Sequence, residues 1–305
     1  MQTHANTPLQ VAFIGLGNMG FPMAGHWAQA GYPTQVYNRT SATAAAWVDQ
    51  YGGQACSTPR AAATGAQIVA LCVGNDADVR QVVYGDDGVI QGMDAGSVLL
   101  DHTTTSAELA VELAQACAER GIQFMDAPVS GGQIGAEQGL LTVMCGGDAT
   151  TLTTVAPLLN CYAKHINHIG EHGQGQRCKM VNQICIAGAL KGLSEAMTLA
   201  QQADLDIDKV VAAVQHGAGG SWQLANRGSS MTRDDFDFGF AIDWMIKDLG
   251  LCLTEARRHG LDLAVTNQVH DLYTQLHQQG YGRLDTSALI KAEPAATQPT
   301  VPLKA

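Results

Sequence analysis

With 305 residues the chain is longer than one ordinary small domain and suits two, and 46% hydrophobic against 15% charged residues supplies enough apolar material for a large core. A formal charge of −11 leaves no basic surplus to displace counterions from nucleic-acid phosphates, which argues against that partner, although a few placed cations could still hold a small anion. No apolar run reaches the roughly 18 residues of a membrane span, and the opening MQTHANTPLQ has no basic start followed by an apolar stretch, so neither a membrane partner nor a secretory signal is expected.

The first half alternates strand and helix. VAFIGLG, from Val11, reads as a buried strand. The helix after it begins near Asn18, carries Met19, Met23, Trp27 and Ala30 at helical spacing, and closes at Gly31. TQVYN is the second strand, the alanine-rich run from Ser41 to Tyr51 the second helix, and AQIVALCV the third strand. SVLLDHT and QFMDAPV follow as strands with a helix from Ser106 to Arg120 between them, and LLTVMCGG adds another strand. Such alternation predicts a parallel sheet with right-handed crossovers and helices on both faces.

The pattern changes after about Gly170. From Gly175 to Ala203 there is no proline, and an apolar stripe runs through Val181, Ile184, Cys185, Ala189, Leu193 and Ala196. A helix of about thirty residues is about 45 Å long, enough to span more than one domain. Asp206 to Ala292 reads as further helices without strand signals, and the proline-rich EPAATQPTVPLKA reads as a disordered tail. The expected fold class is therefore α/β: an N-terminal doubly wound Rossmann domain over residues 9–170, an all-α domain over 171–292 joined to it by a long interdomain helix, and a disordered tail over 293–305.

The eight cysteines are scattered with no C-x-x-C pair, in a chain large enough to need no disulfides, so reduced thiols and a cytoplasmic location are expected. His165, His168 and His172 could suggest a metal site, but Gly170 and Gly173 break the segment and no carboxylate pattern supports it; no metal is expected.

Gly15, Gly17 and Gly20 stand in G-x-G-x-x-G order between the first strand and its helix. The first permits the tight turn, the second lets the backbone approach a pyrophosphate, and the third lets helix and sheet pack closely. Free amides at the helix start would hold the phosphate charge. The dinucleotide contacts expected here are Gly15, Leu16, Gly17, Asn18, Met19 and Gly20. Such sites usually carry a carboxylate at the end of the second strand, which binds the ribose hydroxyls and repels a 2′-phosphate. Asn38-Arg39-Thr40 stand there instead, so the repulsion is gone and Arg39 offers a planar fork of donors. NADP(H) is expected in preference to NAD(H).

Four blocks in order and spacing carry a resemblance: FIGLGNMG, DAPVSGGQIGAEQGLLTVMCGG from Asp126, GQGQRCKMVNQ from Gly173 and FAIDWMIKDL from Phe240. From about Val11 to Lys291 the chain resembles the β-hydroxyacid dehydrogenases, the group holding 3-hydroxyisobutyrate dehydrogenase, tartronate semialdehyde reductase and the glyoxylate/succinic semialdehyde reductases. The resemblance implies that Lys179 transfers the proton and Asn182, three residues on, orients substrate or lysine. It implies that Ser130, Gly131 and Gly132 hold the substrate carboxylate, and successive glycine amides can indeed form an anion-binding nest. Lys247 matches a lysine near nicotinamide and substrate, and Thr103 a position contacting the cofactor. Cys72 and Val73 belong to the loop under the cofactor, where Val73-Gly74 replace the common leucine-proline pair. Ser221 and Phe240 are expected at the substrate pocket, with Trp222 and Trp244 as further candidates.

The activity so implied is hydride transfer between NADP(H) and a small β-hydroxyacid or semialdehyde carboxylate, in a homodimer or homotetramer that buries the exposed face of the long helix, with the active site in the cleft between the domains. Imine reductases of the same fold, which replace the catalytic lysine, and non-catalytic NADP-binding scaffolds, which have lost it, are the alternatives; Lys179 speaks against both. Phosphogluconate dehydrogenase is related, but its helical domain is larger than this chain allows.

Overall fold

The computed structural model describes residues 9–293, so the tail expected to be disordered falls, from residue 294 on, outside the described residues. Two compact units divide between Val181 and Asn182.

The first unit is a nine-stranded sheet with helices on both faces. In chain order it contains β1 (Val11–Ile14), α1 (Gly20–Gln29), β2 (Thr34–Tyr37), α2 (Ser41–Tyr51), β3 (Gln54–Ala55), α3 (Pro59–Ala63), β4 (Ile68–Leu71), α4 (Asp76–Tyr84) and β5 (Val98–Asp101). There follow α5 (Ala107–Ala118), β6 (Gln123–Asp126), β7 (Val129–Ser130), α6 (Gly132–Glu137), β8 (Leu141–Gly146), α7 (Ala149–Leu159) and β9 (Ala163–Gly170). The strand order is β3-β2-β1-β4-β5-β6-β8-β7, and β9, off this path, also pairs with β8. From β3 to β6 every pairing is parallel.

The continuous apolar runs of β1, β4 and β5 follow from coverage on both faces, since side chains alternate along a strand. Phe13, Ala70 and Leu100 point to one core, beneath Met23 and Trp27 of α1 and Trp47 of α2. Ile14, Leu71 and Leu99 point to the other, beneath Val79 of α4 and Leu109 and Leu113 of α5. Trp27 meets Phe13 edge-on at 5.3 Å and donates its indole N–H to Leu158 O at 3.0 Å, so its polar atom is satisfied inside the core. Each such side chain contributes about 1.5–3 kcal/mol on burial.

The sheet is parallel only in part. β8 pairs antiparallel with β6 and with β7, and only β9 returns parallel to it. The parallel sheet expected from the strand-helix alternation is present from β3 to β6, and the antiparallel pairs enter only at β8. The hairpin-like return from β7 through the short α6 is too brief for a right-handed crossover, which needs a dozen residues or more.

The second unit is helical. α8 (Gln174–Gln202) runs into it and is followed by α9 (Ile207–Val214), α10 (Trp222–Thr232), α11 (Ile242–Arg258) and α12 (Ala264–Leu276). Its core joins Ala187, Leu190 and Met197 of α8 with Met231, Met245, Leu249 and Tyr273. Arg227 and Asp285 form a buried ion pair at 3.3 Å, and the Arg227 guanidinium lies 3.8 Å from the Phe238 ring. Glu293, read from sequence as the start of the tail, accepts from Lys191 at 2.6 Å.

The stripe predicted for α8 is not the buried face. Of its six members only Leu193 is buried; Val181 is 61% exposed, and Cys185 and Ala196 are exposed as well. The buried row is Gln183, Ala187, Leu190, Ser194 and Met197, rotated away from the predicted one. Gln183 and Ser194 disguise that row, because each is polar yet hydrogen-bonded internally.

Candidate active site

The turn after β1 is built by steric exclusion. Gly15 has φ +95°, and a Cβ there would stand 2.3 Å from Cys72 O. A Cβ on Gly20 would stand 1.9 Å from Gly15 O, so α1 can begin this close to the strand only with hydrogen in that place. Around Gly17 a Cβ would meet nothing within 4 Å. The outer two glycines therefore serve the chain's own packing, and the middle one faces open space where a pyrophosphate would sit. Gly17 and Asn18 are exposed and Met19 is half-buried, at the start of a helix whose first amides point outward. This cradle fits a dinucleotide.

Asn38 does more than remove a negative charge. Its Oδ1 accepts from Leu16 N at 3.0 Å and its Nδ2 donates to Thr40 O at 3.1 Å, so it pins the glycine turn to the end of β2. Arg39 is 90% exposed, with Nη1 3.7 Å from Asp78 Oδ1. Thr40 is exposed and precedes α2 without its hydroxyl capping that helix.

Three loops that follow β4, β5 and β6 are tied to one another. Cys72 N continues the β1 ladder by donating to Ile14 O, and Val73 N donates to Thr103 Oγ1 at 3.1 Å. Thr103 N in turn donates to Asp101 Oδ1 at 2.9 Å. Thr103, expected to touch the cofactor, thus spends its hydroxyl oxygen as an acceptor for the neighbouring loop. Burial pushes the Asp101 carboxyl up to about 7 against the bonds from Thr103, which lower it. Next to it the fully buried His102 is pushed down to about 4 by burial; its ring nitrogens meet Ala127 O at 2.6 Å and the Tyr162 hydroxyl at 2.7 Å.

Asp126 ends β6 and receives the start of α8. Its Oδ1 accepts from Gly173 N at 2.7 Å and its Oδ2 from Gln176 N at 2.9 Å. A carboxylate in this place satisfies amides that a helix start leaves unpaired and complements the helix dipole. Burial raises its pKa to about 6, and the two amides work in the opposite direction. Two glycines make room for it: a Cβ on Gly146 would stand 2.6 Å from Asp126 Oδ1, and one on Gly175 2.7 Å from Oδ2. Lys179, in the second turn of α8, is only 8% exposed.

Ser130 closes β7 opposite Thr142, and the exposed Gly131 and Gly132 follow with φ +134° and +62°. Two successive positive φ values present both amides without side chains between them. Among the second-unit positions, Asn182 Nδ2 donates to Gln183 Oε1 at 2.8 Å, and Gln183 Nε2 donates to Asp248 Oδ2 at 2.6 Å. Lys247 Nζ lies 3.0 Å from Asp248 Oδ1. Gln183 was not singled out from sequence; it stands four residues after Lys179, where a helix repeats its face, and that spacing was the available signal. Ser221 caps α10 by accepting from Leu224 N, on the wall of an open apolar groove of about 440 Å³. Phe240 is half-buried, its carbonyl accepting from Thr286 N. Trp222 and Trp244 are both exposed, so neither belongs to the core.

His165 and His168 lie on β9, a strand the sequence reading missed, and His168 and His172 each meet a backbone carbonyl, of Gly147 and Phe124. No group of three metal-ligating side chains is found among the described residues. Among those residues no helix is long and apolar enough to cross a membrane.

Comparison with known proteins identifies the family. Residues 10–170 match the NAD-binding domain of 6-phosphogluconate dehydrogenase, and residues 173–292 match the NAD-binding domain of NADP-dependent 3-hydroxyisobutyrate dehydrogenase. An oxidoreductase of Shewanella frigidimarina is 52% identical over 92% of this chain and 97% of its own. The 2-hydroxy-3-oxopropionate reductase of Escherichia coli is 34% identical over 93% of this chain and 97% of its own. The crystal structure of 3-hydroxyisobutyrate dehydrogenase from Salmonella typhimurium superposes with a TM-score of 0.84 at 32% identity, covering 93% of this chain and 99% of that one. The chain belongs to the β-hydroxyacid dehydrogenase family. It is an oxidoreductase with an NAD(P)-binding Rossmann domain.

The glycine geometry separates fold from ligand. Gly20→Ala should lower the unfolding free energy by about 2 kcal/mol or more in urea titration, through its clash with Gly15 O. Gly17→Ala should leave stability within about 0.5 kcal/mol yet weaken dinucleotide binding at least about tenfold in a fluorescence titration. Equal loss of stability in both variants would contradict this division.

Proposed function

We propose that the protein is an NADP(H)-dependent reductase, reversible in principle, of small semialdehyde carboxylates, with Lys179 as proton donor to the carbonyl oxygen. The observation that carries the reading is the placement of a buried lysine in the second turn of a helix whose start is bonded to the loops of Thr103 and Asp126. A nicotinamide coenzyme, when bound, supplies the hydride. Ser130 and the amides of Gly131 and Gly132 hold the substrate carboxylate and so fix which carbonyl face is presented. The Lys179 ammonium gives its proton to the oxygen as negative charge develops there. In the reverse direction it accepts the alcohol proton. Asn182 and Lys247 are assigned to substrate orientation and to the nicotinamide side of the site.

The proposed coenzyme preference rests on Arg39. An exposed ion pair such as Arg39–Asp78 is worth about 0–1 kcal/mol, less than a charge-assisted bond to phosphate, about 1.5–3 kcal/mol. The guanidinium is therefore available to a 2′-phosphate. We further assign the uncovered face of α8 to contact with a second copy of the chain: Val181, Cys185 and the 70%-exposed Leu199 lie along it. In the second unit it adjoins the groove lined by Gly192, Ala196 and Val214.

A screen of coenzyme oxidation over glyoxylate, succinic, methylmalonate and tartronate semialdehydes, with NADPH and NADH in parallel, is expected to show turnover with NADPH. Lys179→Ala should lower kcat about a hundred- to ten-thousand-fold with NADPH binding nearly unchanged; comparable turnover in the variant would remove the proton-transfer role. Arg39→Asp should lower the NADPH:NADH ratio of kcat/KM by about ten- to a hundredfold, and an unchanged ratio would place the discrimination elsewhere.

A further inference from the structure

Gln176 has no accessible surface, and both ends of its side chain are used. Nε2 donates to Thr103 O at 2.8 Å, and Oε1 accepts from Thr105 N at 3.0 Å. Its backbone N–H is the one that reaches Asp126 Oδ2. One residue thus fastens the first turn of α8 to the loop after β5 and to the end of β6. Through Thr103 Oγ1 and Val73 N the connection continues to the loop after β4.

Lys179 follows Gln176 by three residues, on the same face of the helix. Helix starts fray, because their first amides lack partners within the helix. A lysine in the second turn would share that motion unless the start were fastened. Proton transfer needs the donor within hydrogen-bond reach of the oxygen, and a misplacement of about 1 Å can cost about a hundredfold in rate.

We propose that Gln176 is a positioning residue: it locks Lys179 to the two loops of the coenzyme site, so that the lysine's reach is set by the same bonds that hold Val73 and Thr103. The inference rests on the proposed role of Lys179. Asp126 caps the start of the helix through the amides of Gly173 and Gln176, and the Gln176 side-chain amide ties that start to the loop of Thr103 at two backbone groups.

The test is a double-substitution cycle on the full-length enzyme, using NADPH and whichever aldehyde of the screen turns over fastest. Gln176→Met keeps the length and removes both hydrogen-bonding ends. It should lower kcat at saturating substrates about 10- to 100-fold, while KM for the aldehyde moves less than about threefold. In the Lys179→Ala background the same substitution should cost less than about threefold, since no lysine remains to be misplaced. Equal losses in both backgrounds would mean a general structural role and overturn the proposal, as would an unchanged kcat in Gln176→Met alone. Should Gln176→Met fail to fold, Gln176→Asn, one methylene too short to reach both partners, enters the same cycle with the same criteria. Lys179→Ala by itself reports on the proton-transfer role independently of Gln176, so failure of that role is told apart from failure of the positioning.

Discussion

The carboxylate of Asp126, buried at the end of β6 and accepting the amides of Gly173 and Gln176, is the interaction on which the site depends. It settles where the longest helix of the described residues begins. A buried charge is costly unless fully paired, and this one is paired by the amides a helix start offers. Its cost is visible in a pKa of about 6 rather than that of an ordinary aspartate, and its dependence on close packing is visible in the glycines at 146 and 175. Exchange of either glycine for alanine would push a methyl group against the carboxylate or its neighbours.

From that anchor the hydrogen bonds run outward in one direction, toward the coenzyme turn. Gln176 holds Thr103, Thr103 holds Val73, and the neighbouring Cys72 N is bonded to Ile14 O just before the glycine turn. Asn38 fastens the far side of the same turn through Leu16 N. The turn, the loops after β4 and β5, and the start of α8 are therefore positioned with respect to one another by backbone groups and by the side chains of Asn38, Thr103 and Gln176. The longest of these, Gln176, is fastened at both the oxygen and the nitrogen of its amide, which makes the support preorganised.

Much of this could be read in the sequence, and the reasons are local. Gly15, Gly17 and Gly20 announce their turn because the three stand together in sequence, although the steric demand is local only at Gly20; Gly15 is required by Cys72 O, far along the chain, and Gly17 by no contact of the chain's own. The runs of β1, β4 and β5 announce a doubly covered sheet because burial on both faces removes alternation. The α8 segment declares its length by lacking proline, though not its orientation, because Gln183 and Ser194 are buried polar residues that interrupt the apolar row. β9 escaped notice because most of its side chains are exposed and it carries register shifts against β8, which erase the alternating pattern. Asn38 was read for the charge it lacks, whereas its amide has a partner 22 residues away. The bonds of Gln176 span 50 to 73 residues, and no motif encodes contacts at such separations.

The central claim is that the start of α8 is held as firmly as the sheet. Amide hydrogen exchange read residue by residue tests it most directly. If Asp126 anchors the helix as described, the amides of Gly173 and Gln176 exchange as slowly as those of β5, opening only with the unit as a whole. Exchange of those two amides at the rate of exposed loops, while β5 stays protected, would contradict it.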